Sequence, residues 1–422
     1  MRSADLEAVE ICAGAGGQAL GLELAGFGHR LAVELDENAC RTLEANRDRH
    51  PARAGWRIAQ GDVADPEVWK PADYQGIDLL AGGVPCPPFS IAGKQLGASD
   101  ERDLFAWAIE QVDVVKPRAL LLENVRGLSM PRFTGYRQHV LDRLREFGYV
   151  GEWRLLHASD YGVPQLRPRF VLVALQPEHA PYFHWPQPLA GQVTVGAALE
   201  DLMGSAGWEG AADWARRADR IAPTIVGGSK KHGGADLGPT RAKRAWAELG
   251  VDGMGVADAP PPPGAEYPVG PRLTCEMVAR IQGWDDAWGW EFTGRKTTRY
   301  RQIGNAFPPP VARAVGQAIA VALRQEGPAR ERDAGPEQDP VYRALREHGG
   351  HMTPAQIARA AGLDLDAPEL ERRISLLGRD FEIEIAEGKT GAAYRLGRFK
   401  AFTGQADHER HELFSRYRAR IS

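Results

Sequence analysis

Short apolar runs alternate with amphipathic stretches over the first 176 residues. Five runs predict strands, at 8–12, 30–35, 77–81, 118–123 and 169–175. Four stretches with apolar residues every three or four positions predict helices, at 18–25, 37–47, 104–115 and 136–147. Alternation of this kind predicts an α/β fold with a parallel, doubly wound sheet.

The pattern weakens after this region. Pro, Gly and Trp are scattered through the next hundred residues, which end near four consecutive prolines at 260–263. Helical periodicity returns at 310–324, and a stretch rich in Gly, Pro, Arg and Glu follows it, as in linkers. We therefore expect a core formed by 1–176 and 272–326, an inserted loop-rich domain at 177–271, a linker at 327–339 and a C-terminal module at 340–422.

The C-terminal module has its own pattern. Three short helices are predicted at 340–348, 354–361 and 368–377, followed by a hairpin at 381–386 and 392–396. Thr353 stands where an N-cap of the second helix would be. Three helices followed by a β-wing is the order of a small α+β winged helix, although so short a pattern is not specific. Accessory DNA binding and protein contact both remain open for it.

Charge and cysteine content narrow the classes of protein. The 422 residues carry a net charge of −4, which excludes a protein that coats nucleic acid by bulk charge. The four cysteines lie far apart without C-x-x-C spacing, so a disulfide framework or zinc site is not expected. No apolar run reaches the roughly 20 residues that cross a bilayer. We expect a cytoplasmic protein without a membrane partner or a metal.

A glycine-rich turn follows the first predicted strand. Residues 12–19 read Cys-Ala-Gly-Ala-Gly-Gly-Gln-Ala and satisfy G-x-G-x-x-G/A at the start of a helix. Glycines there let the backbone approach a cofactor, and Glu34 at the end of the second strand can accept hydrogen bonds from ribose hydroxyls. This motif alone fits either NAD or S-adenosylmethionine.

Three further strand ends carry reactive side chains. Cys86 stands in Gly-Gly-Val-Pro-Cys-Pro-Pro, a rigid loop at the carboxyl edge of the sheet, and a partly ionised thiol is a strong nucleophile. Glu123 ends another apolar strand, where burial would raise its pKa and let it donate a proton. Arg167 and Arg169 precede the next strand. As single features, such a Glu and paired Arg residues are more often structural ion pairs.

The ordered set of motifs resembles that of cytosine-5 DNA methyltransferases over residues 8–325. It comprises Ala13-Gly14-Ala15-Gly16-Gly17, Glu34, Gly61-Asp62-Val63, Pro85-Cys86, Glu123-Asn124-Val125, Gln165-x-Arg167-x-Arg169, Arg272-Leu273-Thr274 and Gln302-x-Gly304-Asn305. The resemblance implies a Rossmann-like S-adenosylmethionine-dependent methyltransferase fold, with a doubly wound mixed sheet and an inserted target recognition domain.

The resemblance also implies a mechanism. Cys86 would add to C6 of cytosine, because C5 is not nucleophilic enough until that bond forms. Glu123 would donate to N3, while Arg167 and Arg169 would hold the O2 edge of the base and the cysteine loop. The base would be flipped out of double-stranded DNA, and S-adenosylhomocysteine would be the product.

The matching positions supply an expected cofactor site. Gly14, Gly16 and Gly17 would face the methionine part, Glu34 the ribose, Leu35 and Val63 the adenine faces and Asp62 its amino group. Asn305 would close the pocket, and Cys12, Ala13, Pro85 and Leu104 are its further expected residues. Two departures matter. The family usually has Phe at the position of Cys12, so this chain lacks an aromatic face beside the adenine. The family also often has Gln-Gly where this chain has Pro87-Pro88.

DNA contacts are expected from two segments. Residues 90–103 would form a mobile lid, with Ser90 and Lys94 near the DNA; an ordinary surface loop is the alternative. The inserted domain has a net charge of +6 between residues 216 and 244. Its basic residues are Arg216, Arg217, Arg220, Lys230, Lys231, Arg241, Lys243 and Arg244. We expect them to form the DNA-contacting face.

The sequence therefore predicts a monomeric bacterial DNA cytosine-5 methyltransferase of the restriction–modification or orphan type. Double-stranded DNA is the expected partner, with a cognate restriction endonuclease as a further candidate. A tRNA cytosine-5 methyltransferase is one alternative, against which the long basic insert argues. A non-catalytic DNA-binding regulator is another, against which the intact Cys86, Glu123 and Arg167 argue.

Overall fold

A seven-stranded mixed sheet organises the first half of the chain. The structure is a computed structural model that describes residues 6–85, 100–228, 234–330, 339–378, 380–388 and 391–399. The strands are β1 (Leu6–Ile11), β2 (Phe27–Glu34), β3 (Arg57–Gln60), β4 (Leu79–Gly82), β5 (Ala119–Val125), β6 (Val150–His157) and β7 (Pro168–Leu175). Their order is β3-β2-β1-β4-β5-β7-β6, and β7 runs antiparallel to both neighbours while the other pairs are parallel. The predicted α/β fold with a doubly wound mixed sheet is confirmed.

Helices cover both faces of this sheet. They are α1 (Gly17–Leu24), α2 (Glu37–Arg49), α3 (Asp100–Val115) and α4 (Thr134–Glu146). Alternate residues of the central strands point to opposite faces: Leu80 packs in the core with α3 and α4, and Leu79 packs in the core with α1. Apolar runs without a polar face are typical of such doubly covered strands.

A helix from late in the chain, α10 (Pro309–Leu323), packs on α1. Two glycines of α1 permit the contact. A Cβ atom on Gly17 would lie 2.3 Å from the Phe307 carbonyl oxygen, and one on Gly21 would lie 2.4 Å from Ala312 Cβ. Residues near 310 therefore complete the layer that begins near residue 20.

The inserted region contains more helix than its weak periodicity predicts. Its helices are α5 (Val195–Gly204), α6 (Ala211–Arg217) and α7 (Thr240–Glu248), followed by α8 (Cys275–Ile281) and α9 (Lys296–Asn305). One hydrophobic core joins residues of 195–256 to residues of 273–303. The core of the inserted region therefore includes residues beyond 272, while Gln302 of α9 also accepts a hydrogen bond from Thr42 of α2. The domain bounds expected from the sequence stay a prediction. No helix in the part of the chain that the structure describes is long and apolar enough to cross a bilayer.

The C-terminal module has the predicted order of elements. It comprises α11 (Pro340–His348), α12 (Pro354–Ala361), α13 (Ala367–Leu377), β8 (Phe381–Gly388) and β9 (Gly391–Phe399). Thr353 caps α12 by accepting a hydrogen bond from the Gln356 backbone N–H, and Met352 forms an antiparallel bridge with Tyr394. Assignment of this module to the winged helices stays a prediction.

The module packs against α4. The Tyr342 hydroxyl donates to Asp142 Oδ2 at 2.9 Å, and the ring centroids of Phe399 and His139 are 4.1 Å apart. Gly135 makes room for Leu377, whose Cδ2 would lie 2.5 Å from a Cβ at that position. A buried hydrogen bond and an aromatic cluster thus fix the module to the sheet-covering helix.

Candidate active site

A tight turn joins β1 to α1 at the carboxyl edge of the sheet. Cys12, Gly14 and Gly16 all have positive φ, at 53°, 56° and 91°, which Gly adopts without strain. The backbone N–H of Gly14 donates to Glu34 Oε2 at 2.7 Å, and that of Asp36 donates to Glu34 Oε1 at 2.8 Å. The carboxylate that ends β2 therefore ties the glycine turn to the start of α2.

A cavity of about 390 Å³ opens beside this turn. Of the predicted cofactor residues, it is lined by Cys12, Ala13, Gly14, Gly17, Glu34, Leu35, Asp62, Val63, Pro85, Leu104 and Asn305. Gly16 is the exception and does not line it. The cavity lies at the carboxyl ends of the central strands, where open α/β sheets bind ligands.

The cavity also has lining residues that sequence reasoning missed. They are Glu10, Gln18, Thr298, Arg301, Gln302 and Phe307, among others. Gln18 is buried, and neither polar atom of its amide has a hydrogen-bond partner among the described residues. Gln302 belongs to the Gln-x-Gly-Asn motif and could have been found from it. Gln18 belongs to the glycine-rich motif of residues 12–19 and could likewise have been found. No motif placed Glu10, Thr298, Arg301 or Phe307 in the cavity, because their place there depends on how distant segments pack.

Acidic and apolar groups share the cavity wall. Burial raises the pKa of the Glu34 carboxyl, although hydrogen bonds from the backbone oppose the shift. Asp62 accepts from the Ala64 N–H at 2.9 Å. Leu35 is 62% exposed although it lines the cavity, so its apolar side chain is accessible to a ligand there.

The three cysteines among the described residues, Cys12, Cys40 and Cys275, are poor nucleophiles. Burial raises the pKa of Cys12 well above its ordinary value, and the negative charges of Glu34 and Asp62 add to the effect. Burial likewise raises the pKa of Cys40 to about 12 and that of Cys275. Thiols with such pKa values stay protonated at neutral pH. The predicted nucleophile, Cys86, lies outside the described residues, directly after Pro85.

Glu123 and Arg169 form an ion pair at the next strand ends. The Arg169 Nε and Glu123 Oε1 atoms are 2.6 Å apart, and each side chain is about a tenth exposed. Burial raises the pKa of Glu123, while the charges of Arg169 and then Arg167 oppose the shift. Glu123 also lines the cavity, so its carboxyl meets both the cavity and the neighbouring loop that leads to Cys86.

Arg167 has a different position from Arg169. It is 1% exposed, and its guanidinium donates to the carbonyl oxygens of Ile225, Gly304 and Ala306 at 2.7 to 3.1 Å. These carbonyls belong to the inserted region, to α9 and to the segment after α9. Arg167 thus joins three chain segments, and its Nη donors are occupied by backbone rather than turned toward the cavity.

The inserted region crosses α9 beside the cavity. A Cβ on Gly304 would lie 2.5 Å from Gly227 Cα, so two backbones meet directly. Asn305 donates from Nδ2 to the Gly228 carbonyl at 3.3 Å, and Tyr300 donates to the Val226 carbonyl at 3.1 Å. The chain that enters the predicted recognition segment is therefore held by the helix that lines the cavity.

The predicted DNA-contacting residues are only partly described. Ser90, Lys94, Lys230 and Lys231 lie outside the described residues. Arg216 pairs with Asp213, Lys243 with Asp236 at 3.1 Å, and Arg220 approaches Glu248 at 3.6 Å. Arg217, Arg241 and Arg244 are exposed. Asp213 and Glu248, which lie just outside residues 216–244, thus offset part of the +6 charge.

This combination of sheet order, glycine turn and Glu–Arg pair at one sheet edge defines a Rossmann-like methyltransferase. The family model of C-5 cytosine-specific DNA methylases matches residues 6–321. The chain therefore belongs to that family, the DNA (cytosine-5) methyltransferases.

Individual relatives agree with this assignment. The chain is 68% identical to the type II methyltransferase M.NaeI of Lentzea aerocolonigenes, over 99% of both chains. It is 49% identical to the type II methyltransferase M.NgoMIV of Neisseria gonorrhoeae, over 75% of this chain and 98% of that one. A crystal structure of a DNMT2 variant from Spodoptera frugiperda shares the fold, with a TM-score of 0.52 and 15% identity over 75% of this chain and 99% of that one.

Proposed function

We propose that the chain transfers a methyl group from S-adenosylmethionine to C5 of a cytosine flipped out of a specific double-stranded DNA sequence. A covalent bond between Cys86 and C6 would carry the reaction. The main support is one juxtaposition: Glu123, which pairs with Arg169, and Pro85, the residue before Cys86, line the same cavity as the glycine turn.

The described residues suit activation of cytosine. A thiolate that attacks C6 pushes negative charge onto N3 and O2 of the ring. Because burial raises the pKa of Glu123, its carboxyl can carry a proton and donate it to N3. Arg169 is the guanidinium paired with that carboxyl, so we place it at the O2 edge and give Arg167 the task of joining the segments around the site. Loss of the C5 proton and release of the thiol would complete the reaction.

The cavity residues fit S-adenosylmethionine. Leu35 and Val63 offer apolar surfaces for an adenine ring, while Glu34 and Asp62 offer acceptors for hydroxyl and amino groups. The Gln18 amide, which has no hydrogen-bond partner among the described residues, could bind a polar ligand group. The bound cofactor would supply an electrophilic methyl group, and the residues would orient it toward the Cys86 loop.

The inserted region is our candidate for target recognition. The exposed Arg217, Arg241 and Arg244, together with Lys230, Lys231 and Arg220, would contact the DNA, and Ser90 and Lys94 would approach it from the loop after Cys86. Since both relatives above are named type II methyltransferases, we propose the same restriction–modification role here.

Trapping of the covalent intermediate tests the proposal. Duplex DNA containing 5-fluorocytosine cannot lose a C5 proton, so the wild type should form an adduct that survives denaturation, and Cys86→Ala should form none. Cys275→Ala is the matched control, because Cys275 is buried at the start of α8 and its thiol stays protonated. An adduct with Cys86→Ala would refute the assignment of the nucleophile.

The substrate class needs a separate measurement. Tritium from the labelled methyl group of the cofactor should enter duplex DNA and not tRNA. Transfer to RNA alone would overturn the DNA assignment, and no transfer to either would favour a binding-only protein. Bisulfite sequencing of DNA from an expressing host would then give the target sequence.

A further inference from the structure

Trp290, which lies between α8 and α9 in the sequence, contacts the glycine turn that follows β1. The Trp290 Nε1–H donates to the Ala15 carbonyl oxygen at 3.1 Å, across 275 residues of sequence. Ala15 lines the cavity, and Trp290 does not. The indole therefore contacts the turn from outside the cavity in which we place the cofactor.

Gly16 faces this indole. A Cβ atom at position 16 would lie 2.3 Å from Trp290 Cζ2 and 2.9 Å from Leu43 Cδ2, closer than real Cβ atoms come to their neighbours. Gly16 is buried and does not line the cavity, whereas its neighbours Ala15 and Gly17 do. The absent side chain at Gly16 thus makes room for Trp290 rather than for a ligand.

Other contacts hold Trp290 in place. The Arg53 guanidinium lies 5.0 Å from the centroid of the indole, and its Nε donates to Glu23 Oε2 at 2.7 Å. Next to the tryptophan, the Glu291 backbone exchanges hydrogen bonds with the Asn46 side chain, at 2.9 Å and 2.7 Å. The indole is thus fixed by α1 and α2, the helices on either side of the cofactor cavity.

We propose that Trp290 is a positioning residue for the cofactor. It holds the turn of residues 13–17 in the conformation that the cavity requires, through one hydrogen bond and through the fit of its ring over Gly16. Gly14 and Gly16 of this turn have positive φ, so without the indole the turn would gain conformational freedom that binding must remove again. The inference rests on the proposed cofactor, S-adenosylmethionine.

A double-mutant cycle tests the contact, with affinity for S-adenosylhomocysteine measured by calorimetry. We expect Trp290→Phe to weaken binding about fivefold and Trp290→Ala about tenfold or more, from the lost hydrogen bond and packing. With saturating cofactor, kcat should change little, while KM for the cofactor rises. Trp288→Ala is the control, because Trp288 is also half-buried but lies away from the turn, in another groove.

Gly16→Ala completes the cycle. It should weaken binding strongly in the wild type and much less in Trp290→Phe or Trp290→Ala, because the clash with Cζ2 is then gone; the cost of positive φ cancels in the cycle. An equal effect of Gly16→Ala in both backgrounds would mean that Gly16 acts on the ligand directly and would overturn the proposal. So would wild-type affinity in Trp290→Ala.

Two controls separate other failures. Thermal unfolding and circular dichroism identify a variant that does not fold, and the conservative Trp290→Phe keeps the cycle usable in that case. If the wild type itself does not bind S-adenosylhomocysteine, the proposed function fails, and that outcome differs from a wild type that binds with no coupling between positions 16 and 290.

Discussion

The contact between the C-terminal module and α4 should depend on pH through His139. The ring of His139 lies against Phe399 and edge-on to Phe381, at centroid distances of 4.1 Å and 5.2 Å. Burial lowers the pKa of His139 to about 4, and the positive charges of Arg346 and Arg143 add to the shift, while Asp142 and Glu146 oppose it. The described residues offer its buried Nδ1 no hydrogen-bond partner.

The sign follows from proton binding. The pKa in the folded state lies below the value of about 6.5 in the unfolded chain, so the unfolded chain binds more protons between pH 6.5 and pH 4. The contribution of the neutral His139 ring to the unfolding free energy is complete above pH 6.5 and is lost as the pH falls toward 4. At pH 5 the loss from this one group is about 1 to 2 kcal/mol, because the ring is partly exposed and water screens some of the charge.

Replacement by phenylalanine isolates this effect. His139→Phe keeps an aromatic ring against Phe399 and Phe381 but cannot take up a proton. Urea unfolding at pH 7.5 and pH 5.0 should show a smaller loss of unfolding free energy in the variant, by about 1 to 2 kcal/mol. His351→Gln changes an exposed histidine of the same module and should behave as the wild type. Equal losses in His139→Phe and the wild type would refute the reasoning.

Three further predictions concern separate parts of the molecule. Tyr342→Phe removes the hydrogen bond to Asp142 and should lower the unfolding free energy by about 1 to 2 kcal/mol in urea, with no change in methylation rate at neutral pH; an unchanged stability would contradict the buried contact. Glu123→Gln keeps an N–H donor but no transferable proton and leaves Arg169 unpaired, so adduct formation on 5-fluorocytosine DNA should slow by about a hundredfold or more while cofactor affinity is kept. Deletion of residues 331–422 uncovers the α4 face at Gly135 and His139 and should lower the melting temperature; loss of DNA affinity in the same variant would favour accessory DNA binding by the module, and unchanged affinity would exclude it.

Elements that are buried on both faces were predictable from sequence, and elements at the edges were not. The strands with continuous apolar runs lie within a few residues of their predicted bounds, as β5 and β7 show. By contrast, β3 and β6 were missed, because edge strands bury fewer residues and carry polar side chains. The helix α9 was also missed, since only Tyr300, Ile303 and Gly304 of its ten residues are buried.

The candidate site shows the same division. Motifs predicted that Glu34, Asp62 and Glu123 lie at one edge of the sheet, and they line one cavity there, because the topology of parallel strands brings their carboxyl ends together. Asn305 joins them from α9, which packs beside that edge. Contacts between residues far apart in the sequence could not be predicted, since no local pattern indicates that Trp290 packs against Gly16. The backbone partners of Arg167 were unpredictable for the same reason: residues 225, 304 and 306 become its neighbours only when the inserted region packs on α9.

The packing of α10 on α1 also determines when, during synthesis, the apolar side of α1 can become buried. The apolar side of α1 is synthesised almost 300 residues before its cover, Phe307 and α10. At about 5 to 20 residues per second, the nascent chain carries this surface for roughly 15 to 60 s. During that time it lacks the wall of its cavity formed by residues 298–307. Until then the apolar side of α1 has no cover from Phe307 and α10, so this packing and the cavity can be completed only after residues 298–323 have been synthesised.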